Sequence, residues 1–289
     1  MRFKGGHSAA AVPKVIKFSH NKDMAESLDT NLEAALELVA RWINESQRMV
    51  VFTGAGVSTE SGIPDFRSPG GVWSKYDPSE FTFDKFVSNP EVRKKRWRLF
   101  LEEEAMWTAA RPNPAHLAVA ELQRLGKLRA VITQNIDGLH QEAGLPDELV
   151  IELHGTNRFV ACLSCSARWP SAEVRERLRR ERIEDPPCPE CGGIIKTATV
   201  SFGQQMPEKE VRESERLSRE ADLMLVMGST LVVHPAAIMP MIAKEAGGRV
   251  VIINLSETAG DRYAEIVIRG KAGEVLPEVV KRFRKKFMT

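Results

Sequence analysis

The chain's four cysteines fall as two pairs, Cys162-x2-Cys165 and Cys188-x2-Cys191, with 22 residues between the pairs. Four thiolates complete a tetrahedral zinc shell and leave no position open for a substrate, which marks a structural site. A redox pair or unlinked thiols are the alternatives, and two disulfides suit an oxidising compartment better than the cytosol. A second group of residues is suited to binding a nucleotide. Gly54-Ala55-Gly56-Val57-Ser58 directly follows an apolar run. Glycines there let the backbone approach a pyrophosphate and offer it N–H donors. The third glycine of the G-x-G-x-x-G pattern is replaced by Thr59, so a plain tight turn is the competing reading. Thr133-Gln134-Asn135-Ile136-Asp137 and Gly228-Ser229-Thr230 also follow apolar runs. His154-Gly155 does the same, and an imidazole with a pKa near ~6.5 suits general-base work at neutral pH.

These residues need elements that bring them together. Leu28, Leu32, Leu36, Val39 and Ile43 recur at helical spacing, and Met49–Phe52 reads as a buried strand. Helix 115–125, stopped by Gly126, precedes strand 128–133, and 148–153 is a further short strand. Then come helix 208–220, strand 222–227, helix 236–246, strand 249–255, strand 264–268 and helix 274–287. Apolar strands alternating with helices predict an α/β fold, a parallel sheet covered on both faces, with ligands at the carboxyl ends of the strands. Residues 68–112, with a basic helix at Val92–Leu101, and residues 158–197, with the cysteines, break the alternation and read as insertions. Residues 1–27 show no periodicity and read as an arm.

Composition narrows the function. Lys and Arg number 41 and Asp and Glu 39, a net charge of +2, and 43% of residues are hydrophobic. That balance gives no general attraction to nucleic acid or anionic lipid, and the basic tail Lys281–Lys286 reads as a solvated helix face. No run approaches the ~20 apolar residues of a membrane span, and the N-terminus has no secretory core. A cytoplasmic location is expected.

The stretch GAGVSTESGIPDFR, residues 54–67, resembles the first motif of the sirtuin family; TQNID, residues 133–137, matches that family's second motif letter for letter, and His154-Gly155 falls where its catalytic His-Gly does. The resemblance covers roughly residues 30–285. It implies a Rossmann-like NAD-binding domain of residues 28–67, 113–157 and 198–289. It also implies a smaller inserted domain, with a helical part at 68–112 and a zinc ribbon at 158–197 held by Cys162, Cys165, Cys188 and Cys191.

By the same resemblance, Gly54, Ala55, Gly56, Ser58, Asp65, Phe66 and Arg67 line the NAD site, with Phe66 shielding the reactive sugar carbon. Gln134 holds a ribose hydroxyl, Asn135 orients the nicotinamide ribose and a water, and Asp137 holds the carboxamide. Gly228, Ser229 and Thr230 are similar to a phosphate contact with its last two residues exchanged, Asn254 to a ribose contact and Ala272 to an adenine contact. Val200, Phe202 and Gly203 resemble the segment that pairs with the substrate backbone, a strand-addition mode. His154 is the general base; His116 is taken as structural.

The implied activity is NAD-dependent protein lysine deacylation, yielding nicotinamide and O-acyl-ADP-ribose. Counting along the basic helix puts Trp97 and Phe100 where relatives that favour acidic acyl groups carry Tyr and Arg. This apolar pair predicts neutral acyl groups, acetyl above all. Mono-ADP-ribosyl transfer, NAD hydrolysis and a non-enzymatic NAD-sensing role are the other outcomes the same scaffold allows.

Overall fold

The computed structural model describes residues 14–18, 26–66, 70–74, 77, 79 and 82–288. Lys14–Lys17 (β1) and Glu26–Glu45 (α1) lead into Met49–Thr53 (β2). Phe83–Ser88 (α2), Pro90–Glu102 (α3), Glu104–Ala109 (α4) and Pro114–Arg124 (α5) precede Leu128–Thr133 (β3). Leu139–Glu142 (α6) and Val150–Glu152 (β4) follow, then Gly155–Cys162 (β5), Arg168–Pro170 (β6), Ser171–Glu181 (α7) and Ile195–Thr199 (β7). The last segment holds Glu208–Glu220 (α8), Leu223–Met227 (β8), Met239–Glu245 (α9), Arg249–Ile253 (β9), Ile266–Arg269 (β10) and Ala272–Phe287 (α10).

Seven strands form one sheet in the order β1-β10-β9-β8-β2-β3-β4, and all six pairings are parallel. Every residue of β2 and β8 is buried, as expected of central strands covered on both faces. One face packs on α1, α5 and α10, through residues such as Leu36, Leu122 and Phe283. The other packs on α8 and α9 through Leu217, Met239 and Ile242. Helix starts follow local chemistry. The Asn113 side chain accepts from the backbone N–H of Ala115 and His116, the His116 ring accepts from Asn113, and Pro114 takes the first helical position.

The arm expected over residues 1–27 is corrected at one place. Lys14–Lys17 pairs with β10, in register Lys14↔Ile266 to Lys17↔Arg269, and Phe18 N donates to the Arg269 carbonyl at 2.8 Å. Four residues are too few to show a strand period, and the β10 edge supplies the order. Lysines at both ends suit an edge strand, where charge discourages further pairing. The remainder of residues 1–25 lies outside the described residues.

The cysteine segment forms a separate antiparallel sheet, β6-β5-β7. It shares one apolar cluster with the helical insertion: Trp97 and Phe100 of α3 pack with Val160, Val174, Leu178 and Ile195. Two chain segments that are distant in sequence therefore share a single small core. Among the described residues no helix is long and apolar enough to cross a membrane. In the tail, Arg282 pairs with Glu33, Arg284 with Glu121 and Lys286 with Glu37, tying α10 to α1 and α5.

Candidate active site

The strand order reverses direction between β2 and β8, so a crevice opens beyond their carboxyl ends. The loops leaving these two strands meet there backbone to backbone. Gly54 N donates to the Met227 carbonyl at 3.0 Å and Gly56 N to the Gly228 carbonyl at 2.9 Å. A Cβ on Gly228, whose φ is +62°, would lie 2.2 Å from Val57 N. Only glycine fits both the conformation and the approach.

Three loops, those after β2, β3 and β8, converge on one hydrogen-bonded cluster. The Ser58 hydroxyl donates to Asp137 Oδ2 at 2.7 Å and accepts from Asn135 Nδ2 at 3.0 Å. Asn135 N donates to the Thr133 hydroxyl at 3.0 Å, and Leu139 N donates to Asp137 Oδ1 at 2.9 Å. Burial pushes the Asp137 carboxyl above its usual range, against the pull of the Leu139 amide and the Ser58 hydroxyl. Gln134 Nε2 donates to the Ser229 hydroxyl at 2.8 Å, which joins the β3 loop to the β8 loop.

His154 stands at the end of β4. Its Nδ1 lies 3.0 Å from the Gln134 carbonyl. A carbonyl only accepts, so Nδ1 carries the proton and the Nε2 lone pair is left to act as a base. Burial holds this imidazole below its ordinary pKa, partly offset by the carbonyl contact. The His154 carbonyl accepts from Val200 N at 2.7 Å, so the base and the Val200–Gln204 segment are fixed to each other. Phe202 pairs with Thr82 in a parallel bridge, its carbonyl accepts from Phe83 N at 2.8 Å, and its ring is 46% exposed.

The other residues singled out in the sequence sit around this crevice to different degrees. Phe66 is 40% exposed beyond Asp65, which is partly buried. Ala55 opens the 3-10 turn after Gly54, and Gly203 follows Phe202 with φ +77°. Asn254, at the end of β9, is buried and donates to the Ser256 carbonyl at 2.9 Å. Thr230 follows Ser229, and its carbonyl accepts from Ala259 N at 3.1 Å. Ala272 opens α10, where Gly273 N donates to the Glu60 carboxylate at 3.0 Å. Arg67 lies outside the described residues.

Thr53, His140 and His116 were not singled out as site residues. The Thr53 hydroxyl lies 2.8 Å from that of Thr133 and 3.0 Å from His140 Nε2, and the His140 and His116 rings meet at 4.9 Å. This buried layer lies beneath the Asn135 loop. Both imidazoles are held below their usual pKa by burial, His116 at about 4. They belong to the floor of the site, in keeping with the structural reading of His116. A threonine at the end of each of β2 and β3 was the available signal.

The cysteine cluster fits a zinc ion. The sulfurs of Cys162 and Cys191 are 3.5 Å apart, those of Cys165 and Cys188 3.7 Å, and all four lie within 4.8 Å of one another. Zinc–sulfur bonds of about 2.3 Å imply a tetrahedral edge of about 3.8 Å, whereas a disulfide needs about 2.05 Å. Ser164 N and Cys165 N also point at Cys162 Sγ, at 3.4 and 3.5 Å.

The parallel sheet, its converging loops and the inserted cysteine ribbon define a Rossmann-like α/β protein with a zinc-ribbon module. The chain belongs to the Sir2 family, whose profile matches residues 54–235. The NAD-dependent protein deacetylase 1 of Bradyrhizobium diazoefficiens is 47% identical over 247 residues, 86% of this chain and 96% of that protein. The NAD-dependent protein deacetylase 1 of Pyrobaculum aerophilum is 45% identical over 249 residues, 86% and 95% of the two chains. Among solved structures, a Sir2 enzyme with a deacetylated p53 peptide and 3′-O-acetyl ADP ribose is 38% identical with a TM-score of 0.77, covering 87% of this chain and 98% of its own.

Proposed function

We propose that this chain is an NAD-dependent protein lysine deacylase acting on neutral acyl groups, acetyl foremost, and releasing nicotinamide and O-acyl-ADP-ribose. The observation that carries the proposal is the arrangement of His154. Its proton is held on Nδ1 by the Gln134 carbonyl, its Nε2 is left as a base, and its backbone is tied to Val200 in the segment assigned to the substrate peptide. The names of the relatives agree with this activity.

NAD is a co-substrate, and the donor set suits it. The N–H groups of Gly54, Gly56 and Gly228 hold the loops after β2 and β8 together and to β9, and the bare backbone of these glycines lets the phosphates approach the N–H of Ala55 between them. The Ser229 hydroxyl accepts from Gln134 and from the Leu231 amide, so its own proton stays available to a phosphate oxygen, and the Thr230 hydroxyl is a second donor beside it. Asn254 and Ala272 take the adenosine end. Asp65, Phe66, Arg67, Gln134, Asn135 and Asp137 take the nicotinamide riboside end. When bound, NAD supplies the sugar carbon to which the acyl oxygen bonds as nicotinamide departs. The chain's own residues do the rest. Asn135, held by Ser58, orients the ribose and a water. Asp137, held by Ser58 and the Leu139 amide, binds the carboxamide. His154 Nε2 takes the proton of a ribose hydroxyl and raises its nucleophilicity toward the acyl carbon. Phe66 covers the reacting face, and Val200, Phe202 and Gly203 align the peptide. Pre-set donors in a partly buried cleft are suited to a cationic, sugar-like transition state. Zinc held by the four cysteines would stabilise the ribbon and stay outside the chemistry. The partners are acyl-lysine proteins, and the expected location is the cytoplasm.

The test is incubation with NAD and an acetyl-lysine peptide, beside His154→Ala, followed by mass spectrometry. Peptide deacetylation with equimolar O-acetyl-ADP-ribose, abolished in the variant, is expected. NAD loss without deacetylation would replace the proposal with ADP-ribosyl transfer or NAD hydrolysis. Deacetylation undiminished in the variant would remove His154 as the base.

A further inference from the structure

Along the carboxyl edge of the sheet, the residue after each of β3, β2, β8 and β9 donates its N–H to a carbonyl at the end of the neighbouring strand. Gln134 donates to Thr53 at 2.9 Å, Gly54 to Met227 at 3.0 Å, Gly228 to Ile253 at 3.2 Å and Asn254 to Ile268 at 3.1 Å. All four donors are among the residues given to NAD. Phe18 follows β1 and stands in the same position one strand further out, where its N–H reaches the Arg269 carbonyl at 2.8 Å. It precedes the span of the family resemblance, and the family's motifs assign it nothing.

The end of β10 ties together the loops of the adenosine end. The Ile268 carbonyl holds the backbone of Asn254. The Arg269 side chain pairs with Asp261, whose carboxylate also accepts from the Thr258 hydroxyl at 2.6 Å. In the same loop, Ala259 N donates to the Thr230 carbonyl at 3.1 Å. Gly270 and Lys271 then turn the chain into α10, which opens on Ala272. Glu60, from the loop after β2, holds this turn at Gly273, whose N–H it accepts at 3.0 Å. Phe18 holds it at Gly270. A Cβ on Gly270 would lie 2.7 Å from Phe18 Cβ and 2.8 Å from Val275 Cγ2, so the Phe18 side chain closes directly on the backbone there. Ile16 and Phe18 pack on the core beneath α1 and α10. Without β1, β10 would be the edge of the sheet with a row of backbone groups unpaired, and weakly packed ends of this kind open most readily.

We propose that Phe18 is a positioning residue for the adenosine end of NAD: by closing on Gly270 beside the Arg269 carbonyl, it fixes the turn from β10 into α10, and with it Ala272 and the loops tied to β10. The proposal rests on the NAD site of the deacylase reading and adds to it a residue outside the family's motifs. The residues given to the nicotinamide end and the base follow β2, β3 and β4, at the other side of the sheet from β1. Loss of the Phe18 ring therefore weakens NAD and ADP-ribose together and leaves the chemical step and the peptide alone. Binding lost equally from ground state and transition state raises KM without lowering kcat.

The experiment is calorimetric titration of ADP-ribose into the protein and into Phe18→Ala, with steady-state kinetics of both on NAD and an acetyl-lysine peptide. Phe18→Ala is expected to weaken ADP-ribose about fivefold, within the range over which packed neighbours of a site alter its affinity, and to raise the KM for NAD by the same factor. Neither kcat nor the KM for peptide is expected to change, and Phe18→Tyr, which keeps the ring, is expected to bind ADP-ribose as the unaltered protein does. If Phe18→Ala does not fold, Phe18→Leu is set against Phe18→Tyr, and a loss of about twofold or more in the leucine variant alone is expected. ADP-ribose affinity that is the same with and without the ring overturns the proposal. So does a fall in kcat or in peptide affinity as large as the fall in ADP-ribose affinity, the mark of a residue that only supports the fold. In both of those results the unaltered protein still binds ADP-ribose and consumes NAD, so the deacylase reading stands. Failure of the unaltered protein to bind ADP-ribose overturns the NAD site and this proposal with it.

Discussion

Replacing Gly155 with alanine should both destabilise the protein and disable its base. Gly155 follows His154 directly and pairs with Thr199 across β5 and β7. Its φ is +71°, and an added Cβ would lie 2.1 Å from the Ala198 carbonyl oxygen and 3.1 Å from Thr199 Cα. The left-handed conformation alone costs alanine about 1–2 kcal/mol. The overlap is with backbone, which no rotamer can relieve, and forced repacking of this kind adds about 1–3 kcal/mol. The sum is about 2–5 kcal/mol, which for a protein of this size is a fall in melting temperature of roughly 4–20 °C. Gly126 gives the control. Its φ is +70° and nothing lies within 4 Å of its would-be Cβ, so Gly126→Ala carries the conformational cost without the overlap. Differential scanning fluorimetry should show Gly155→Ala losing clearly more than Gly126→Ala, and kcat/KM for an acetyl-lysine peptide should fall only in the former. The strand pairing that fixes His154 to Val200 runs through this residue. Equal losses of stability in the two variants, or normal kcat/KM in Gly155→Ala, would refute the reasoning.

Three further outcomes are expected. Burial lowers the His154 pKa, so the neutral base is already the main form at pH 7; kcat/KM should rise through a pKa below ~6.5 and then level off, and an ascending limb centred above pH 7 would count against His154 as the base. His116 titrates at about 4 in the fold against 6.5 in the unfolded chain, so below pH ~6.5 the unfolded state takes up a proton that the folded state refuses. Stability should therefore fall by about 3 kcal/mol between pH ~6.5 and 4; His116→Gln should flatten that dependence in urea titrations, and an unchanged slope would remove His116 as its source. Stripping zinc with a strong chelator should release about one equivalent per chain and lower the melting temperature, with activity returning on zinc addition after brief treatment. A metal-free protein that keeps both its melting temperature and its activity would contradict a structural zinc.

Much of the site could be read from the sequence because its residues sit at fixed offsets from strand ends. Each of Gly54, Gln134, His154 and Gly228 comes at most two residues after β2, β3, β4 or β8, and a parallel sheet gathers such ends along one edge. The cysteine spacing likewise contained the zinc site, since the ion's own geometry dictates the C-x2-C loops. Other features were not legible. β1 owes its structure to the β10 edge rather than to a pattern in Lys14–Lys17. The His140–Thr53–Thr133 contacts cross three separate segments.

What the sequence determined by itself was the alternation of strand and helix, the identity of the chemical groups and the metal shell, because these depend on local pattern and short spacing. What only the tertiary structure decided was which distant groups share a space. Gln134 was a motif letter until the fold placed its carbonyl against His154 and its amide against Ser229. Trp97 and Phe100 read as an apolar pair until α7 and β7 brought Arg175 and Lys196 into their cavity. The physical reason is that charge and burial act through space, over a few ångströms that can span nearly a hundred residues of chain.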